Sequence, residues 1–443
     1  MSNTIANNSI DFMTAAADLR GQQQSVPDYL HSIREAGIAA LDNTALPTRK
    51  TESWKYTSLY SLTEANYLQQ GNAANFSESD LDKFTFTGLD VYRLVFVDGR
   101  FDETLSDSIA EITATPFSKL DGKDTLTAKL NATFTLEKHF FAQLNSSLLD
   151  DGLLIEIPAN KKLSKPIHLL QINTQQAEHF YSQQRVIVVA GAGSQATLID
   201  HRDSVGDSNS IYNNLTEIHL GANANLAHIT LQLEAETQVA ISGTHVKQSR
   251  DSHYQHYLVA TGSKIKRNDL QANLTESNTQ TTLHGVYLCK HRQHIDNQTA
   301  IDHIAPHCNS EETYRGLITD KGKATFNGRI HIHPDAQKTE AHLNNKNLLL
   351  SNQAEINTKP ELEIYADDVK CSHGATIGQL DEKSLFYFQS RGIDRQSAEA
   401  MLCFGFINAM VDELPLAAVQ NYVADRLAVF FNDVDKLPAL WGL

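Results

Sequence analysis

The chain has little of what marks several specialised protein classes. Its 443 residues include four cysteines, Cys289, Cys308, Cys371 and Cys403, and no C-x-x-C pair. Usage that sparse fits a reducing compartment and argues against a disulfide framework. No apolar run approaches the ~20 residues that a bilayer-crossing helix needs. The N-terminal stretch MSNTIANNSIDFMTAAADLR has no basic region followed by an apolar core, as a secretory signal would. It also sets Asp11 and Asp18 against a single Arg20, which disfavours a transit peptide. Positive charge is short too: 37 Lys and Arg face 53 Asp and Glu, for a net charge of −16 and a pI near 5.6. Such a chain repels polyanions, so neither nucleic acid nor a membrane surface is an expected partner. A soluble, cytoplasmic protein is expected. There is no GxxxxGK[ST], hence no phosphate loop, and no G-x-S-x-G; Gly191-Ala192-Gly193 reads as a turn.

What is present divides into three textures. Residues 1–150 read as a mostly helical region. Asp28 follows Pro27 and leads into the apolar stripe Leu30, Ile33, Ile38, Leu41, and a second helix is expected from about Leu126 to Leu149. Residues 151–380 carry short alternating runs such as LLIEI, IHLLQI, RVIVVA, LTEIHL, RIHIH and ELEIYA, bounded by Gly, Asn, Asp and Ser. More than two hundred residues of this kind without an interleaved helix are long for one sandwich, and stacked coils accommodate them easily. Residues 381–443 return to helical spacing. Gly392 closes a short helix and Asp394 is placed to cap the next. Gly405, in a helix interior, costs about 1 kcal/mol relative to Ala, which is easiest to rationalise where another surface approaches closely.

The densest chemistry lies between Pro360 and Gly405. Cys371 and His373 stand two apart in a strand-like run, so both project from one face, and both are soft-metal ligands. Two ligands do not complete a metal site. His331 and His333 also share a strand face, but with no carboxylate at a recognisable spacing they read as a surface pair. In H-x-D-x-x-T-x-x-x-H (His294, Asp296, His303), Asp296 reads as a side-chain hydrogen bonder. Cys289, His307 and Cys308 become ligands only if the fold gathers them.

The run DDVKCSHGAT, followed by LFYFQSRGI and AEAMLCFGF, resembles the C-terminal signature of the SufB/SufD family of iron–sulfur cluster assembly scaffolds. The stretch His284–Ser351 is similar to that family's core: G-x-Y-L, H-x-D-x-x-T-x-x-x-H, F-x-G-x-I, A-Q-K-T and L-L-L-S. The segment Glu52-Ser53-Trp54-Lys55-Tyr56-Thr57, with the chain length, resembles the SufD branch. The resemblance implies a mainly β fold, a right-handed parallel β-helix flanked by helical regions. It implies a non-catalytic scaffold that pairs with SufB and binds the ATPase SufC through its C-terminal helices. ATP-driven closure of a SufC pair would then open a cluster-assembly site between the two β-helices. His373, with Cys371 beside it, would contribute to a transient iron–sulfur cluster held only together with SufB. Leu402, Gly405, Phe406, Met410, Val423 and Leu427 would meet SufC. Isolated, the chain could pair with itself through the same β-helix face. A rival reading is a stand-alone β-helix enzyme acting on polysaccharide, with Asp367 and Asp368, or Glu361 and Glu363, as acid and base.

Overall fold

The computed structural model describes residues 2–22, 26–63, 65–69, 71–72, 76–120 and 126–433. The short alternating runs form strands that deliver successive stretches of chain to two sheets in turn. The ten-stranded sheet ends in Val369–Gly378 on one side and in Tyr92–Val97 and Arg100–Asp102 on the other. The nine-stranded sheet ends in Glu355–Ile364 and in Thr113–Pro116. All neighbours are parallel except the two short pairings at the N-terminal end. The result is a parallel β-solenoid of about eight turns. Its first strand, Tyr92–Val97, pairs in parallel with Ile167–Thr174 and lies within the segment read as mostly helical.

The coils share little sequence but repeat one backbone conformation. Asn160, Gly193, Asn223, Asp251, Asn278, His307 and Lys338 all have φ between 58° and 70°, one in each successive coil. Each donates its amide to a carbonyl of the next coil, for example Asn223 N to Arg250 O at 3.0 Å and His307 N to Gln337 O at 2.9 Å. The left-handed region favours Gly, Asn and Asp, which explains five of these seven identities. Inside, alternate residues pack across the two sheets: Val186, Val188, Ile218, Leu220, Leu226, Leu274, Ile301 and Ile330 are all essentially buried. Part of the interior is polar instead and much of it is internally paired, as with Arg202 on Asp200 at 2.5 Å. Pairs this deep add little net stability, but removing one partner strands a charge.

The helix expected from Leu126 to Leu149 is broken. Only Leu136–Lys138 (a 3-10 turn) and Phe140–Ser147 are helical in its second half. Glu217 of the solenoid takes the backbone amides of Asn131 (2.8 Å), Ala132 (3.0 Å) and Thr133 (3.3 Å). Asn131 turns to φ 56° to present them. A tertiary carboxylate thus outbids the local helix. The helix Phe140–Ser147 packs on His31–Asp42, and Gly37 allows the contact: a Cβ there would sit 2.5 Å from Ser147 N.

The C-terminal helices Glu382–Ser390, Arg395–Val411 and Ala417–Asp433 start where expected. Asp381 accepts from Ser384 N at 3.0 Å, Asp394 accepts from Ser397 N at 2.9 Å, and Gly392 has φ +83°. The two longer helices lie on the outer face of the ten-stranded sheet. Ala400, Cys403, Ile407, Met410, Val419, Val423, Leu427 and Phe430 cover Ile199, Ile229, Leu231, Val259, Val286 and Leu317. Each fully buried aliphatic side chain here contributes about 1.5–3 kcal/mol.

Candidate functional site

Among the described residues, the last coil is uncovered at its outer edge. Glu355–Ile364 and Val369–Gly378 each have a paired neighbour on one side only, so their other edges carry free backbone donors and acceptors. Ile377 is 51% exposed and Ile364 42%. Cys371 and His373 stand on this terminal strand, opposite Ala341 and Leu343 in register. Both partners are buried and inward-facing, so the pair belongs to the interior row of the coil. Ser372 faces outward instead, where His342 Nδ1 meets its hydroxyl at 2.7 Å. Period two therefore places thiol and imidazole side by side, as the spacing suggested. Cys371 is half-buried against the core while His373 is exposed. Burial raises the Cys371 thiol above its ordinary value, against the opposing pull of the Ala341 backbone. A metal or a neighbouring charge is needed to make it a thiolate at neutral pH.

The other cysteines are buried. Cys289 donates to Lys323 O at 3.2 Å, Cys308 lies against Glu276 O at 3.4 Å, and Cys403 is buried under the helices. Burial pushes the thiols of Cys289 and Cys403 up to about 12. His303 is buried against Ser310 Oγ at 2.9 Å, and burial holds its imidazole down at about 4. Asp296 takes Arg267 Nη1 at 2.7 Å and the Thr57 hydroxyl, while Arg267 stacks 3.9 Å from the Trp54 ring. The Glu52–Thr57 segment and the H-x-D-x-x-T motif are thus two halves of one docking contact.

One expectation from spacing changes. His331 and His333 do gain a carboxylate, from the preceding coil: Asp302 is the register partner of His331, and its Oδ1 lies 3.0 Å from His331 Nδ1. Among the described residues, Asp302, His331 and His333 are the sole cluster of three such groups whose ligand atoms lie close together. Sequence spacing could not reveal it, since the partner lies 29 residues away.

The residues assigned to SufC docking divide by burial. Met410, Val423 and Leu427 are buried against the chain's own sheet, so they hold the helices in place and offer nothing to a partner. Leu402 and Phe406 are half-buried, and Arg315 Nη1 binds Phe406 O at 2.6 Å. Gly405 is exposed and a Cβ there would meet nothing, so no close approach occurs among the described residues. The open apolar side chains of these helices are instead Phe386 (71% exposed), Val429 (58%), Tyr387 (56%) and Met401 (41%). The sequence signal for Phe386 and Tyr387 was the LFYF run, which holds more large apolar residues than one buried helix face needs.

The polysaccharide reading finds no support. Asp368 is paired with Lys338, Glu361 with Lys359 at 2.7 Å, and Glu363 lies 3.6 Å from Arg329.

Residues 172–406 match the family described as SUF system FeS cluster assembly, SufBD core domain, and residues 6–169 match the SufBD protein N-terminal region. The chain belongs to the SufBD family. It is 32% identical over 392 residues to the iron-sulfur cluster assembly protein SufD of Escherichia coli, covering 88% of this chain and 90% of that protein. It is 31% identical over 401 residues to the SufBD family protein slr0076 of Synechocystis, covering 88% of each. Protein ABCI7, chloroplastic, of Arabidopsis thaliana is 30% identical over 412 residues, or 90% of this chain and 85% of that protein. In this SufBD-family chain the core-domain match ends inside the helix Arg395–Val411, so it spans the solenoid's open coil and the start of the helical cover. No described helix is long and apolar enough to cross a membrane.

Proposed function

We propose that this chain is a scaffold subunit that pairs with SufB through its open last coil and binds SufC on its C-terminal helices. The observation that carries this reading is the terminal strand. It has a free edge, exposed apolar neighbours, and a thiol beside an imidazole on its interior row. Such an edge suits continuation by a second β-solenoid, whose strand would complete the hydrogen-bond ladder and bury Ile364 and Ile377. His373, exposed on that row, then faces the partner. Its neutral imidazole can ligate iron, with a thiolate from the partner completing a mixed set that neither subunit holds alone. The iron–sulfur cluster is cargo, built at the contact and passed on. SufC would dock on Phe386, Tyr387 and Met401 with the open Gly405 beside them, and its ATP-driven movement would strain the subunit contact.

The test is cluster formation by the reconstituted three-protein complex, followed by visible absorbance under anaerobic conditions. His373→Ala is expected to abolish or sharply reduce cluster yield while leaving the complex assembled by size-exclusion chromatography. Unchanged yield would remove the ligand role.

A further inference from the structure

On the outer face of the nine-stranded sheet, Asp302, His331 and His333 bring one carboxylate and two imidazoles together, their ligand atoms within 4.8 Å of one another. We propose that these three side chains bind a divalent first-row transition metal ion, Zn2+ ahead of the others. The site lies apart from Cys371 and His373, which stand on the interior row of the other sheet.

Three features support it. First, the solenoid register places the ligands. Asp302 and His331 are direct partners on adjacent parallel strands, which run about 4.8 Å apart. His333 follows two residues later, with its ring centroid 4.1 Å from that of His331. Its backbone is fixed by the bond from His333 N to His303 O at 3.0 Å. Second, the carboxylate is oriented from behind. Gln271 Nε2 donates to Asp302 Oδ2 at 3.1 Å, and the Asp302 side chain is only 10% exposed. The His331 ring is steadied edge-on by Tyr365 at 5.6 Å. Third, the donor set is selective. Two imidazoles and one carboxylate suit zinc and its neighbours, whereas Ca2+ and Mg2+ ask for several oxygens. Three protein ligands leave one position for water or an outside group.

Arg329 now supplies the positive charge. Its Nη2 lies 3.2 and 3.3 Å from the Asp302 oxygens, and its Nη1 lies 3.6 Å from Glu363. A cation arriving at Asp302 would release Arg329 toward Glu363, which is already within reach. Arg329 is therefore a competitor, and removing it should tighten metal binding, whereas a purely structural role for this network predicts no such gain.

The experiment uses untagged full-length protein in a Cys371→Ser, His373→Ala background, so that the interior pair cannot contribute. Co2+ is titrated as the spectroscopic probe and then displaced with Zn2+. One Co2+ per chain is expected, with visible bands of low-coordinate cobalt lost on zinc addition. His333→Ala should weaken binding roughly tenfold or more, Arg329→Gln should strengthen it, and His291→Ala, a histidine paired with Glu236 elsewhere, should change nothing. Circular dichroism confirms folding, and His333, half-exposed beyond its strand, is the substitution least able to disturb it. No binding by the background protein, or equal binding by His333→Ala, overturns the proposal.

Discussion

Glu312→Gln tests the physics of the solenoid interior most sharply. Glu312 sits on an inward row, fully buried, two coils before His373 in the ladder Glu312, Leu343, His373. One carboxyl oxygen accepts the Thr299 hydroxyl at 2.5 Å, and the other has no partner. Burial raises its pKa from 4.5 to about 7, with the Thr299 bond opposing. The folded state therefore holds a proton that the unfolded state gives up near pH 4.5. Stability from this group is fully present below pH 4.5 and is lost as pH rises to about 7, because the unfolded chain binds fewer protons across that window. Two and a half pH units correspond to about 3 kcal/mol. Glutamine keeps the shape and the acceptor for Thr299, and its amide is as poorly partnered as the carboxylic O–H it replaces. The two proteins should thus match near pH 4.5, and the variant should gain about 3 kcal/mol by pH 8. Urea unfolding of both proteins at half-unit steps from pH 4.5 to 8.5 measures the difference directly, and groups common to both cancel. A pH-independent difference would show that Glu312 is ionised in the folded protein and that burial is offset by something other than Thr299.

Trp54→Ala should cost roughly 3–5 kcal/mol, since it removes a buried indole and uncovers Arg267; a loss under 1 kcal/mol in chemical unfolding would mean the Glu52–Thr57 segment docks only loosely. Phe386→Asp should weaken SufC binding by calorimetry with the melting temperature unchanged, because that ring is already in water; unaltered affinity would move the docking surface elsewhere. At His307, held at φ 62°, Val should be less stable than Gly by about 1–2 kcal/mol, since a β-branched side chain is strained in the left-handed region; equal thermal stability would contradict the turn ladder. Truncation after Asp381 should make the protein insoluble, because it bares the apolar row from Ile199 to Leu317, and a soluble monomer by light scattering would refute that.

The amino-acid sequence by itself determined whatever depends on neighbours a few residues apart. Period-two runs defined the strands and put Cys371 and His373 on one face; Asp381, Asp394 and Gly392 bounded the C-terminal helices. Short motifs such as DDVKCSHGAT sufficed to indicate the SufB/SufD family. Tertiary structure decided what depends on contacts one coil or more away. The repeat itself was hidden, because it is carried by a backbone angle that Asn, Gly, Asp, His and Lys all adopt and not by shared side chains. The helix expected from Leu126 failed because Glu217, some 85 residues on, captured its amides. Met410, Val423 and Leu427 looked like a docking stripe, since an apolar helix face reads alike whether its cover is a partner or the chain's own sheet. Asp302 reached His331 and His333 only through register, since parallel stacking makes neighbours of residues a full coil apart.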